Sequence, residues 1–257
     1  MAGHSKWSKI KRLKVNQDVK RGKLFSKISK EITVAAKLAS GNSLFNPRLK
    51  SAMQAARTKG MPNENIERAL KKGARAVVST TTSTVTTVEE VLYEGYGAGR
   101  VALIVEASTK NKHRTAADLR SIFSKNRGTL DGPGSVAYLF QRKGKILVSK
   151  NALQEEWLLE VALNAGAEDL IADDDYFSLL TSPKQFYLVA EFLKTSEVHI
   201  LSQQLTFIPR KTVHINDLQT ASNILQLCDA LEDYDDVLCV HSNSDISEGL
   251  LARMHPN

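Results

Sequence analysis

From about Lys20 the chain settles into a helical period. Leu24, Phe25, Ile28, Ile32, Ala35 and Ala39 recur on one face, while Lys20, Lys23, Lys27 and Lys30 fall on the opposite one. Asn46-Pro47 predicts the start of a second helix, because asparagine is a good N-cap and proline is tolerated at the first helical position, where its missing N–H has no helical partner. Leu49, Met53 and Ala56 supply the apolar stripe of that helix. A third helix is expected over 63–72, with Ile66, Ala69 and Leu70 inward and Gly73 as its C-cap. Three short helices with small residues at their contacts predict a helical bundle.

The pattern then changes. Residues 79–87 read STTTSTVTT and predict a linker. EEVLYEGYG and RVALIVEAS are strand-like runs around Gly95, Gly97 and Gly99. A phosphate-cradling glycine loop leads into a helix N-terminus, whereas Gly99 leads into the apolar run 101–105, so these glycines predict a hairpin. A helix over 112–126 (Leu119, Ile122 and Phe123 inward) and a strand SVAYLF complete a β-β-α-β unit. Residues 144–208 follow with strand KILVS, a helix carrying Trp157, Leu158, Val161 and Ala162 inward, strands EDLIA and YFSLLT, a helix from Pro183, and strand EVHILS. That order is the ferredoxin-like β-α-β-β-α-β. A strand at 212–215, a helix from Asp217 and a strand DVLCVHS remain to complete the earlier sheet. The expected class is α+β: a three-helix N-terminal domain, then two α/β domains, the third inserted into the second. The boundaries are 1–75 for the basic arm and bundle, 76–87 for the linker, 88–142 plus 209–257 for the second domain, and 143–208 for the insertion.

Charge changes this picture. The 257 residues carry a net +7, but residues 1–75 hold 19 Lys/Arg and four Asp/Glu, a net +15, leaving −8 on the rest. A basic first third on an acidic body points to a polyanionic partner. The bases Lys6, Lys9, Lys11, Arg12, Lys14, Lys20, Arg21, Lys23, Lys27 and Lys30 stand against the single acid Asp18 within residues 1–30 and are the expected phosphate contacts. The first part reads as a loose arm, since so many like charges with so few apolar residues do not collapse unaided. Trp7 could stack on a base or anchor the arm to its own domain. No zinc-finger spacing, heptad zipper or aromatic RNP-type strand accompanies the bases.

Other chemistry is sparse. No histidine pairs with another at i+3 or i+4, and no cysteine lies at metal-ligand spacing from one, so neither a metal nor a cofactor is expected. Cys228 on a helical stripe and Cys239 in an apolar strand run read as core thiols, and two cysteines suit a reducing cytosol. Asp173-Asp174-Asp175 reads as a solvated turn rather than a Mg²⁺ site, and the run Glu232, Asp233, Asp235, Asp236 as a solvated helix end or a partner surface. Neither an enzymatic activity nor a small-molecule substrate is expected. No apolar run approaches the ~18 residues of a membrane helix, and the basic N-terminus lacks the apolar segment of a secretory signal. The expectation is a cytoplasmic monomer without a membrane partner.

Several stretches resemble the YebC/PmpR family: MAGHSKWSKIK, QDVKRGKLFSKISKEITVAAK, NPRLKSAMQAARTKGMPNENIERALKKG, YEGYGAGRVALIVEAS, NKHRT, GSVAYLF and LEDYDDVLCVHSN. The family includes proteins called transcriptional regulators and the mitochondrial translational activator of cytochrome c oxidase subunit I. The resemblance runs nearly end to end. It implies the three-domain fold just described and a non-enzymatic nucleic-acid binder, acting on promoter DNA or, alternatively, on structured ribosomal RNA as a ribosome-associated factor. Ala98, Arg100 and Lys110 depart from its usual pattern, all outside the basic arm. A start directly at MAGHSKW is read as leaving no room for a transit peptide, hence a bacterial member.

Overall fold

The computed structural model describes residues 17–38, 46–78, 89–150, 154–173 and 175–254. The arm before residue 17, with Trp7, and the Ser/Thr-rich linker therefore lie outside the described residues, as does Asp174. The N-terminal part contains α1 (Gln17–Leu38), α2 (Pro47–Thr58) and α3 (Asn63–Val78). Asn46 caps α2 as expected, its side chain accepting from the Leu49 N–H at 3.2 Å. Ile32, Ala35, Leu49, Ala56, Ile66 and Ala69 form a small core among the three helices.

The expected stop at Gly73 is corrected: α3 continues through it to Val78. A β-carbon at Gly73 would lie 2.6 Å from both Ala36 Cβ and the Thr33 carbonyl oxygen. Glycine is needed there because α1 crosses α3 at that point.

A first antiparallel sheet is built from β1 (Glu89–Tyr96), β2 (Ala102–Thr109), β3 (Thr129–Asp131) and β9 (Val237–Ser242), in the order β3-β1-β2-β9. The glycine-rich segment is the hairpin between β1 and β2, as its turn chemistry required. Helices α4 (Lys112–Lys125) and α7 (Leu218–Asp233) pack on one face, where Leu119, Phe123, Ile224, Leu227 and Leu231 meet Leu103, Val105 and Val240. SVAYLF is not a strand. Ala137–Leu139 form a 3₁₀ turn, and the third strand of the unit is 129–131. Val136 and Phe140 are both buried, so alternation in the sequence mimicked a strand. The turn is fixed by Glu94, 5% exposed, whose carboxylate accepts the backbone N–H groups of Gly134, Val136 and Ala137 at 2.7–2.8 Å.

A second antiparallel sheet lies between β3 and β9 in the chain: β4 (Phe140–Ser149), β5 (Asp169–Ala172), β6 (Tyr176–Thr181) and β7 (Ile200–Pro209), ordered β5-β6-β4-β7. With α5 (Glu155–Asn164) and α6 (Phe186–Thr195) this is the ferredoxin-like topology. Leu158 and Ala162 of α5 are buried, but Trp157 is 41% exposed and does not enter the core. EVHILS begins its strand later than expected, at Ile200, and extends it to Pro209. Finally β8 (Val213–Ile215) and β10 (Ser244–Ile246) pair in parallel, and α8 (Glu248–Met254) follows. The molecule is thus α+β, with a helical N-terminal part followed by two sheet-containing units.

Candidate nucleic-acid interface

Of the ten expected contact residues, Lys6, Lys9, Lys11, Arg12 and Lys14 lie outside the described residues. Lys20, Arg21 and Lys23 belong to the first turns of α1, where only the backbone is described. Lys27 and Lys30 are described, and both are engaged within the chain. The Lys27 ammonium donates to the Glu232 carbonyl and that of Lys30 to the Asp235 carbonyl, with Asp236 Oδ1 3.5 Å from Lys30. The acidic end of α7 is therefore a docking point for α1.

Asp236 organises this corner. Its carboxylate accepts from Thr115 Oγ1 at 2.9 Å, and its carbonyl accepts the Ser108 N–H at 2.8 Å. Asn111 caps α4 by accepting from the Arg114 N–H at 3.1 Å. Tyr234 donates to Asp118 Oδ2 at 2.6 Å, and burial together with that carboxylate pushes its phenol up to about 12.

A second tie lies at the start of α2. Arg48 grips Glu31 of α1 through Nε (2.7 Å) and Nη2 (3.0 Å), and reaches Glu90 of β1 through Nη1 at 3.1 Å. Burial disfavours the charged guanidinium, but the two carboxylates outweigh it and hold its pKa above the ordinary arginine value. Ser51 of α2 and Gln203 of β7 form a third contact, Gln203 Nε2 donating to Ser51 Oγ at 3.2 Å.

Between α1, α3 and the β2–α4 turn runs a cleft of about 910 Å³. Arg68 and Lys72 enter from α3, Lys110 and Arg114 from the turn and first turn of α4, and Asp233, Asp235 and Asp236 form the opposite wall. Arg68, Lys72, Lys110 and Arg114 were missed by sequence reasoning because the arm dominated the count. They come from separated segments, and only the fold lines them up along one cleft beside the middle of α1.

A second cleft, about 1090 Å³, lies among α2, β7 and β9. Cys239 and His241 stand in its wall. The reading of Cys239 as a core thiol is corrected: Cys239 is only partly buried and sits beside His241 and Glu106. Cys228 is a core thiol. His241 Nε2 is 2.6 Å from Glu106 Oε1, and its Nδ1 is 3.3 Å from Thr206 Oγ1. Burial opposes a charged imidazole, yet Cys239 and Glu106 prevail and push His241 up to about 10. No helix among the described residues is long and apolar enough to cross a membrane.

Comparison with known proteins agrees with this architecture. Residues 5–76 match the model of the TACO1/YebC protein N-terminal domain, and residues 88–244 that of the TACO1/YebC second and third domain. A protein of Persephonella marina named a probable transcriptional regulatory protein is 46% identical over 255 residues, covering 99% of this chain and 100% of the relative. One of Rubrobacter xylanophilus with the same name is 47% identical over 254 residues, covering 99% of each. The crystal structure of a conserved hypothetical protein from Aquifex aeolicus superposes with a TM-score of 0.79 at 44% identity, covering 90% of this chain and 93% of the other.

Proposed function

The chain belongs to the TACO1/YebC family, and on that footing we propose that it is a non-enzymatic regulator of transcription that binds DNA through its basic N-terminal arm. The single observation that carries this reading is the net +15 of residues 1–75 set against −8 on the rest. Relatives named probable transcriptional regulatory proteins support the regulatory role. In this reading Lys6, Lys9, Lys11, Arg12, Lys14, Lys20, Arg21 and Lys23 neutralise phosphates. Lys27 and Lys30 hold α1 on the acidic corner, beside the cleft that Arg68, Lys72, Lys110 and Arg114 line. Phosphate contacts set affinity and register but carry no sequence information, so any selectivity comes from DNA shape or from groups of the arm that reach a groove.

Changing Lys9, Lys11, Arg12 and Lys14 together to alanine should weaken binding to duplex DNA and flatten its salt dependence. Each lost phosphate contact removes ~0.7–0.9 from the slope of log affinity against log salt, so the four should remove roughly 3. Anisotropy titrations across a salt series read this directly. An unchanged slope and affinity in the substituted protein would remove the arm from the mechanism. Structured RNA that outcompetes duplex DNA at equal phosphate concentration would instead make ribosomal RNA the target.

A further inference from the structure

We propose that Glu106, Cys239 and His241 form a binding site for a divalent transition-metal ion of the zinc type. One ligand atom from each lies within 4.8 Å of the others. The sheet itself builds the arrangement. Cys239 and His241 are two apart on β9 and so point to one face, and Glu106 on β2 is the direct cross-strand partner of Cys239. All three ligands thus stand on adjacent, paired strands, a stiffer support than a loop.

The donor set is selective. A thiolate, an imidazole and a carboxylate suit zinc and its first-row neighbours, whereas magnesium and calcium take oxygen ligands. Bonds of about 2.0–2.3 Å in tetrahedral geometry place ligand atoms ~3.3–3.7 Å apart. The 2.6 Å hydrogen bond between His241 Nε2 and Glu106 Oε1 must therefore open by about an ångström, and the metal takes the place of the proton it holds. That proton and the thiol proton of Cys239 leave to solvent.

The surroundings fit a ligating histidine. Its other nitrogen, Nδ1, faces Thr206 Oγ1 of β7 at 3.3 Å, the kind of outer partner that fixes the tautomer and leaves Nε2 for the metal. Phe207 sets the ring at a centroid distance of 5.3 Å. Cys239 and His241 both line the second cleft, so an ion has an entry path and a fourth position open to water or a partner's group. An ordinary buried ion pair between Glu106 and His241 accounts for one of these contacts, but not for a thiol and a carboxylate converging on the same imidazole at the edge of a cleft.

The test uses the full chain, stripped with a chelator and titrated with zinc alone against a chromophoric competitor. One equivalent should bind. Cobalt should give the sulfur-to-metal charge-transfer band of a thiolate ligand, and zinc should slow alkylation of Cys239 in the unsubstituted protein. Cys239→Ser and His241→Gln should each weaken binding by more than the ~10–100-fold expected for the outer partner in Thr206→Val. The cobalt band and the alkylation assay need no substitution, so a misfolded variant leaves the test intact. Failure to bind zinc at micromolar concentration, a cobalt spectrum without the sulfur band, or undiminished affinity in the Cys239→Ser, His241→Gln double variant would each overturn the site.

Discussion

Tyr234 shows how a single side chain locks the acidic corner in place. Its phenol donates to Asp118 at 2.6 Å, and it titrates at about 12 in the folded chain against about 10 when unfolded. A raised pKa stabilises the fold fully below the unfolded value and loses that contribution as pH rises through the folded one. The unsubstituted protein should therefore lose stability more steeply than Tyr234→Phe between pH ~10 and ~12. Urea midpoints measured across that window should converge; parallel curves would show that the hydrogen bond carries no linkage. At this scale little was legible beforehand. Glu94 sits in a recognisable YEGYG run, but nothing in its neighbours announces that it will accept three N–H groups from a turn forty residues on. Cys239 and His241 did carry a readable signal, since residues two apart in a strand share a face. Glu106 did not, because its partner lies 135 residues away.

At the scale of elements, helices were read best, since each declares itself through a local period and caps. Asn46, Asn111 and Asp217 all cap the helices that follow them. The failures lay where local pattern and tertiary contact disagree. Gly73 resembled a helix stop because glycine commonly ends helices, but here it admits a neighbouring helix. Alanine in its place would gain ~1 kcal/mol of helix propensity. The Thr33 carbonyl at 2.6 Å belongs to backbone and yields only if α1 moves, and overpacking of that kind costs ~1–3 kcal/mol. The clash should win: Gly73→Ala should destabilise modestly and Gly73→Val more strongly in urea unfolding, and a more stable alanine variant would contradict the close crossing. Trp157 was misplaced for the converse reason. Its period suits the inner face of α5, but Leu158 and Ala162 already fill the space above the second sheet.

For the whole molecule, the described residues form three main cores. A smaller apolar cluster of Ala102, Ile104, Val136 and Phe140, with Phe207 against it, joins the two sheets, while polar ties hold the helical part to them. Charge segregation was legible from the sequence; that two of the basic residues would spend their charge on the chain's own acidic helix end was not, because both partners are ordinary surface patterns until folded. Arg48 is the most instructive tie. Its planar fork serves Glu31 of the helical part and Glu90 of the first sheet at once. Arg48→Ala leaves those two carboxylates facing each other, and Arg48→Lys cannot restore a forked contact. Both variants should raise hydrogen exchange in α1 and α2 while leaving the second sheet's protection unchanged. Equal protection in all parts would show that Arg48 does not couple them.

The pairing of β2 with β9 has a consequence for synthesis. Leu103 and Val105 gain their outer neighbours only when residues 240–242 arrive, after the entire second sheet has been made. On a growing chain the later-starting unit closes first, since β4 to β7 are contiguous, while the earlier strands wait with an unpaired apolar edge. Long-range pairing of this kind folds slowly and exposes aggregation-prone surface. The first sheet is thus begun early and finished late, and α7 and β9, residues 218–242, act as the latch on its hydrophobic core.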